Sequence, residues 1–174
     1  IHRWGRVAED ALEQARDDVA AALGARSSEI SFVRGGTESD NLAILGWCRA
    51  QKLEGRTPSI VVTVVEHQAV LEAAMNAENT GEAFVTRIDV SAEGGLDLDG
   101  VRESTRCDTA IVSVMWVNNE MGLILPVHDV AEALDGTGGI LHSDAAQAIG
   151  KVPVDVRESS VDLLSATGHK IYGP

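Results

Sequence analysis

The sequence contains few aromatic residues and few cysteines, and each scarcity narrows what the chain can be. Aromatic residues make up 3% of the 174 positions, so the hydrophobic core has to be built mainly from Ala, Val, Leu and Ile. Cys48 and Cys107 are the two cysteines, and no C-x-x-C pair occurs. This excludes a disulfide framework and favours a reducing compartment. We therefore expect a cytoplasmic protein whose two cysteines are packing or incidental residues.

Long hydrophobic runs and an excess of positive charge are also missing. No apolar stretch approaches the roughly 20 residues that span a bilayer, so no membrane partner is expected. The formal net charge of −13 argues against nucleic acid as a partner, because a phosphate backbone requires a basic surface. The opening residues, IHRWGRVAED, have no signal-peptide layout and lack an initiator methionine, so we expect the chain to begin inside a larger protein.

Helical and strand patterns alternate along the chain, whose length suits one domain. Apolar residues at helical spacing predict a helix over 6–23, and β-branched runs predict strands. This alternation is typical of an α/β domain with a mainly parallel sheet. The further predicted helices are 38–51, 66–78, 98–104 and 127–136, and the predicted strands are 29–33, 59–65, 83–90, 109–117, 139–147 and 162–168, with a loop or short hairpin over 91–100.

A glycine turn, RGGTESDN, follows the first predicted strand and precedes a helix. Glycines let backbone N–H groups approach an anion, and a helix N-terminus carries partial positive charge, so Gly36 and Thr37 are candidates for a phosphate-binding turn. The alternative is an ordinary glycine turn in which Thr37 or Ser39 caps the helix. These residues alone do not decide between the two interpretations.

Polar side chains also follow other predicted strands. Asp144 ends an apolar strand, where it either caps the next turn or pairs with a buried cation or N–H group. His67 follows a buried strand and is either a structural or a catalytic histidine. A metal site would combine His67 and Asp144 with His142 and His169, but no compact metal-binding motif is present, so no metal is predicted.

Lysine is rare, and Lys170 is one of three in the chain, with Lys52 and Lys151. A surface lysine is the ordinary interpretation. The preceding residues, LLSATG, are apolar and small, so we expect the amine of Lys170 to be partly buried. Desolvation lowers the pKa of a lysine and makes it a usable nucleophile or Schiff-base former. Together with Asp144 and a phosphate-binding turn, Lys170 outlines a pyridoxal phosphate site.

Five ordered motifs, FVRGGTESDNLAILG, EHQAVLEAA, VSVMWVNNEMG, HSDAAQAIGKVPVDV and SATGHKIYGP, resemble those of the cysteine desulfurase family. This family is a branch of the class V aminotransferase-like, fold-type I enzymes that use pyridoxal 5'-phosphate (PLP). The resemblance implies a three-layer α/β/α fold with a mainly parallel sheet. It also implies that residues 1–174 are part of the PLP-binding large domain, without the N-terminal segment and the C-terminal small domain.

The resemblance assigns roles residue by residue. Lys170 matches the Schiff-base lysine, and Asp144 matches the partner of the pyridine nitrogen. His67 matches the histidine that stacks on the ring, where an imidazole can also move protons. Gln147 matches the residue that bonds the ring's phenolic oxygen. Asn119 matches the asparagine near that oxygen and the substrate carboxylate.

The phosphate ligands follow from the same resemblance. Gly36 and Thr37 match the turn that holds the phosphate, and Thr167 and His169 match its other ligands. The family usually has Ser where Thr167 stands, but the hydroxyl group is kept.

The implied reaction converts L-cysteine to L-alanine and transfers the sulfur to an enzyme cysteine as a persulfide, for iron–sulfur cluster or thio-cofactor assembly. The implied partners are a second copy of the chain in a homodimer and a sulfur-acceptor or scaffold protein. Neither Cys48 nor Cys107 matches the nucleophilic cysteine, so we expect this chain alone to be inactive. A selenocysteine lyase or another class V enzyme would share every motif, and a non-catalytic α/β module is the alternative from a different class.

Overall fold

The computed structural model describes residues 2–105 and 109–173. Within these residues there are five helices and five strands, which follow the predicted order except that the first predicted strand is missing. The helices are α1 (Arg3–Leu23), α2 (Gly36–Leu53), α3 (Gln68–Asn79), α4 (Leu98–Ser104) and α5 (Val127–Leu134). The strands are β1 (Ser59–Thr63), β2 (Phe84–Ile88), β3 (Ala110–Ser113), β4 (Ile140–Asp144) and β5 (Leu163–Ser165), with short 3-10 helices at Ser27–Glu29 and Gly168–Ile171.

The five strands form one parallel sheet in the order β2-β1-β3-β4-β5. β1 lies inside this sheet, and all of its residues are buried, as its β-branched run predicts. Outside the sheet, Val90 pairs antiparallel with Leu96, which confirms the short hairpin predicted around 91–100.

Helices cover both faces of the sheet, which confirms the three-layer α/β/α architecture. On one face, α2 and α3 pack against β1 and β3 in a first apolar cluster that includes Ile44 and Ile111. On the other face, α4 and α5 pack in a second apolar cluster that includes Val112 and Leu141. Among the helices that the structure describes, none is both long and apolar enough to cross a membrane.

One predicted strand is wrong. Residues 30–33 form no strand and pair with no strand of the described sheet. Arg16 of α1 instead donates a hydrogen bond to the Ile30 carbonyl group, and its guanidinium group lies 5.2 Å from the Phe32 ring centroid. Contacts with α1 therefore take the place of strand pairing in this short apolar run.

Cys48 is buried in the first apolar cluster, as a packing cysteine should be. Burial is the main cause that raises the pKa of its thiol to about 11. A thiol is a weak nucleophile when its pKa is raised, so Cys48 is unsuited to accept sulfur. The prediction for Cys107 lies outside the described residues.

Candidate active site

The strands of a parallel sheet bring their carboxyl ends to one edge, and the polar residues singled out from the sequence gather there. Asp144 is the last residue of β4 and is only 6% exposed. His67 lies between β1 and α3. Asp144 and His67 each place a polar atom within 4.8 Å of the other and of Asp40 in α2.

Asp144 has two structural properties that suit a partner for a buried N–H group. Its Oδ1 accepts a hydrogen bond from the Ala146 N–H group at 2.9 Å, which confirms that it caps the next turn. Among the described residues, none donates a hydrogen bond to Oδ2. Burial raises the pKa of Asp144, while the Ala146 N–H group and His67 lower it. A cationic N–H group in front of Oδ2 would stabilise the carboxylate further.

His67 is exposed and serves as the N-cap of α3, because its Nδ1 accepts a hydrogen bond from the Ala69 N–H group at 3.1 Å. This contact fixes the position of the ring in front of Asp144. His67 therefore has a structural role as the cap of α3, and its exposed imidazole can also contact a ligand.

The glycine turn at the N-terminus of α2 is a possible anion-binding site. Gly35 is the N-cap residue, with φ 156° and no side-chain capping bond. The helix begins at Gly36, so the alternative in which Thr37 or Ser39 caps it is wrong. N–H groups of the first helical turn lack intrahelical partners and point toward an anion at such a terminus.

The segment after β5 lies beside this turn. A Cβ atom placed on Gly36 would lie 4.0 Å from the Cβ of Thr167. Thr167 Oγ1 is in turn 2.8 Å from His169 Nδ1. The Ser165 hydroxyl donates to Ser39 Oγ at 2.9 Å and ties β5 to α2. The structure thus brings together the residues proposed as phosphate ligands, from two distant segments of the chain.

Lys170 is exposed, so the expected partial burial of its amine is wrong. β5 ends at Ser165, and the 3-10 helix Gly168–Ile171 lies at the surface with no buried residue. The apolar residues before Lys170 therefore do not carry the lysine into the core.

Gln147 and Asn119 are the two remaining residues that the sequence proposes for the site. Gln147 is half-buried, and its Oε1 accepts a hydrogen bond from Lys151 Nζ at 2.6 Å. Asn119 is exposed, while the neighbouring Asn118 is buried and donates to the Val65 carbonyl group at 2.9 Å. The bond of Asn118 anchors the turn that carries Asn119.

The four residues of the metal alternative do not come together as one group of ligands in the described structure. His142 is buried between Ser113 and Ser165, and His169 bonds Thr167.

Sequence reasoning missed two buried carboxyl groups, those of Asp40 and Glu66. Asp40 shares the buried stripe of α2 with Ile44 and Cys48 at intervals of four residues, and this spacing was the available signal. Glu66 lies three residues after the end of β1. Burial raises the pKa of Asp40 to about 7 and that of Glu66 to about 8.

Comparisons with known proteins show the family of the chain. The model of the family "Aminotransferase class-V" matches residues 1–174. "Putative cysteine desulfurase IscS 1" from Bacillus subtilis (strain 168) is 43% identical over 175 residues, which cover 100% of this chain and 45% of the relative. "Cysteine desulfurase IscS" from Neisseria meningitidis serogroup C (strain 053442) is 43% identical over 99% of this chain and 42% of the relative.

Two solved structures share the fold closely. One, described as "SspA in complex with cysteine", has a TM-score of 0.92 and 34% identity, over 100% of this chain and 49% of that chain. The other, DndA from Streptomyces lividans, has a TM-score of 0.89 and 39% identity, over 99% of this chain and 48% of that chain. The chain thus spans less than half the length of these relatives. The match over its whole length shows that the chain belongs to the aminotransferase class-V family.

Proposed function

We propose that residues 1–174 form part of the PLP-binding large domain of a cysteine desulfurase. The observation that carries this proposal is the buried Asp144 at the carboxyl end of β4, close to His67 and at the sheet edge where Gly36 and Thr167 meet. The names of the relatives, cysteine desulfurases, support the same reaction.

The residues present fit the cofactor. Asp144 would hold the pyridinium N–H group through Oδ2, and His67 would lie against the ring face. The open N-terminus of α2, with Thr37, Thr167 and His169, would hold the phosphate. A Cβ atom on Gly36 would already reach Thr167, so a longer side chain at this position would fill the space between the turn and Thr167.

Each remaining residue of the site has a chemical task in this proposal. When bound, PLP supplies an electron sink that stabilises negative charge at the α-carbon of an amino acid. The Lys170 amine would bind the cofactor covalently and return a proton to the substrate. Gln147 and Asn119 would orient the ring oxygen and the substrate carboxylate. His67 can take up or give a proton at the ring face.

The proposed substrate is L-cysteine, with L-alanine as product and a cysteine outside this chain as the sulfur acceptor. The buried Cys48 cannot take that role. We propose a cytoplasmic homodimer that passes sulfur to an acceptor or scaffold protein. This chain alone would then bind the cofactor without releasing sulfide.

The rarity of lysine makes the test direct, because Lys170 can be compared with Lys52. The protein is mixed with PLP, reduced with borohydride and analysed by mass spectrometry for a covalent adduct, and sulfide release from L-cysteine is measured in parallel. We expect an adduct in the unsubstituted chain and in Lys52→Ala, none in Lys170→Ala, and no sulfide from the 174-residue chain. Lys52 is exposed at the C-terminal end of α2, opposite the end that begins at Gly36, and it donates a hydrogen bond to the Gly81 carbonyl group. An adduct that persists in Lys170→Ala contradicts the assignment of the lysine.

A further inference from the structure

A continuous set of buried polar side chains lies behind the proposed active site, and the proposed reaction does not use it. Glu66 Oε2 is 3.2 Å from the Ser113 hydroxyl, which is 2.8 Å from Nδ1 of His142. Nε2 of His142 is 3.0 Å from the hydroxyl of Ser165. This buried chain therefore connects the end of β1 with the end of β5, through β3 and β4.

The other end of this buried set of side chains is the Asp40 carboxyl group, one oxygen of which lacks a hydrogen-bond partner. Asp40 is 1% exposed, and its Oδ1 has no hydrogen-bond partner among the described residues. That oxygen lies 3.7 Å from Nε2 of His142. The Ser165 hydroxyl donates to Ser39 Oγ in this structure and also interacts with the Asp40 carboxyl group, so rotation about its C–O bond can redirect its proton from Ser39 to Asp40. Each end of the buried chain is thus a carboxyl group that is shielded from water.

His142 lies between the two carboxyl groups, and its imidazole is neutral. It is fully buried, and burial lowers its pKa to about 4. A neutral imidazole carries one N–H group and one acceptor nitrogen, so only one of its two neighbours can receive a hydrogen bond from it. The ring therefore has to point its N–H group either toward Ser113 or toward Ser165.

We propose that Ser113, His142 and Ser165 carry a proton between Glu66 and Asp40, so that when one of the two carboxyl groups is charged and the other is neutral, the N–H group of His142 faces the charged one. Glu66 gives its proton to Ser113, Ser113 gives its own to Nδ1, Nε2 gives its proton to Ser165, and Ser165 gives its own to Asp40. Every group in between regains what it loses, so one proton moves from Glu66 to Asp40 and the total charge stays constant.

The location of this proton affects Asp144. The charge on Asp144 raises the proton affinity of Asp40 and of Glu66, and the charge on either group acts on Asp144 in the same direction. His67 acts in the opposite direction on Asp144. Moving the proton to Asp40 removes the negative charge of the carboxyl group that lies beside Asp144. The consequence for a pyridinium partner rests on the proposed function, whereas the proton transfer does not.

The test reads the tautomer of His142 by ¹⁵N NMR of the full-length protein without cofactor, at a pH above the value of about 8 for Glu66. In Glu66→Gln the remaining charge is on Asp40, so we expect the Nε2–H tautomer. In Asp40→Asn the remaining charge is on Glu66, so we expect the Nδ1–H tautomer. The same tautomer in both variants would overturn the proposal. Because no cofactor is present, this result is independent of whether PLP binds.

Exposed residues of the same types provide the matched controls. Glu72→Gln on α3 and Asp129→Asn on α5 should each leave the tautomer of His142 the same as in the unsubstituted protein. If either control changes the tautomer as much as the buried variants do, the effect is not carried by the buried chain, and the proposal fails.

A second measurement needs no substitution and covers the case in which a variant does not fold. The carboxyl ¹³C signals of Glu66 and Asp40 are followed with pH. Two groups that exchange a proton titrate as a pair, so we expect each signal to move in the same two steps. A single separate step for each group would overturn the proposal.

Discussion

Glu66 shows how one buried carboxyl group can be held by neutral neighbours. Its Oε1 accepts hydrogen bonds from the Thr63 hydroxyl and the Met115 N–H group, both at 2.7 Å. Its hydrogen-bond partners among the described residues are all uncharged, and burial raises its pKa from 4.5 to about 8, although those hydrogen bonds lower it. The native state therefore binds a proton here that the unfolded state releases at a lower pH.

This difference predicts a pH dependence of stability. Between about pH 4.5 and about pH 8 the native state holds a proton on Glu66 that the unfolded state lacks, so the free energy of unfolding falls as pH rises through that window. A glutamine side chain at this position would keep the contacts without ionising. We expect Glu66→Gln to gain stability relative to the unsubstituted protein as pH rises, measured by urea denaturation.

The control for this experiment is Glu72→Gln, at an exposed position on α3. Its difference from the unsubstituted protein should stay nearly constant across the same pH range. A Glu66→Gln difference that does not change with pH would contradict the prediction.

Among the elements, α2 connects the proposed phosphate site to the core. Its first turn begins at Gly35 and Gly36, while further along the helix Ile44 and Cys48 are buried in the first apolar cluster. Gly35 has φ 156°, a backbone conformation that side chains rarely adopt, and no atom lies within 4 Å of an added Cβ. Gly35 is therefore required for the backbone geometry and not for space.

Gly35, the N-cap of α2, and Gly46, within α2, should respond in opposite ways to substitution by alanine. Gly35→Ala should lower the free energy of unfolding by about 1–3 kcal/mol, because its backbone conformation becomes strained. Gly46→Ala should raise it by about 0.5–1 kcal/mol through helix propensity, since a Cβ there meets only Leu42 at an ordinary 3.7 Å. Urea denaturation of both variants measures this, and equal effects would show that the turn is not strained.

At the scale of the whole molecule, the sheet separates two apolar clusters that share no residue. Leu141 lies in the second cluster, beside Val112 on the neighbouring strand. Ile44 lies in the first cluster, on the other side of the sheet. We therefore expect that the loss of a side chain in one cluster does not change the free-energy cost of losing a side chain in the other.

Double substitutions test this independence. Leu141→Ala and Ile44→Ala should each cost about 2–5 kcal/mol in the free energy of unfolding. Their costs should add within about 0.5 kcal/mol, because the two residues belong to separate clusters. Leu141→Ala with Val112→Ala is the matched pair within one cluster, and it should depart from additivity because the two cavities join. Additive costs in both pairs would contradict the prediction.

The order of helices and strands could be predicted from periodicity, because β1 and α2 have long, regular apolar patterns. The conformation of residues 29–33 could not be predicted in this way, because it depends on contacts with Arg16, a residue outside that segment. The predicted burial of Lys170 was wrong for a similar reason, because a local apolar pattern does not determine where a strand ends. The site residues themselves came from a family resemblance, and their roles stay predictions.

In the order β2-β1-β3-β4-β5, each strand after β1 pairs with a strand that precedes it in the sequence. β2 and β3 add to the two sides of β1, β4 adds to β3, and β5 adds to β4. A chain that emerges from the ribosome N-terminus first can therefore extend this sheet one edge at a time, without leaving a strand unpaired until a later one is made. Asp144 ends β4 and Thr167 follows β5, so a nascent chain adds these proposed cofactor-binding residues only after the earlier strands and helices have begun to form the apolar layers.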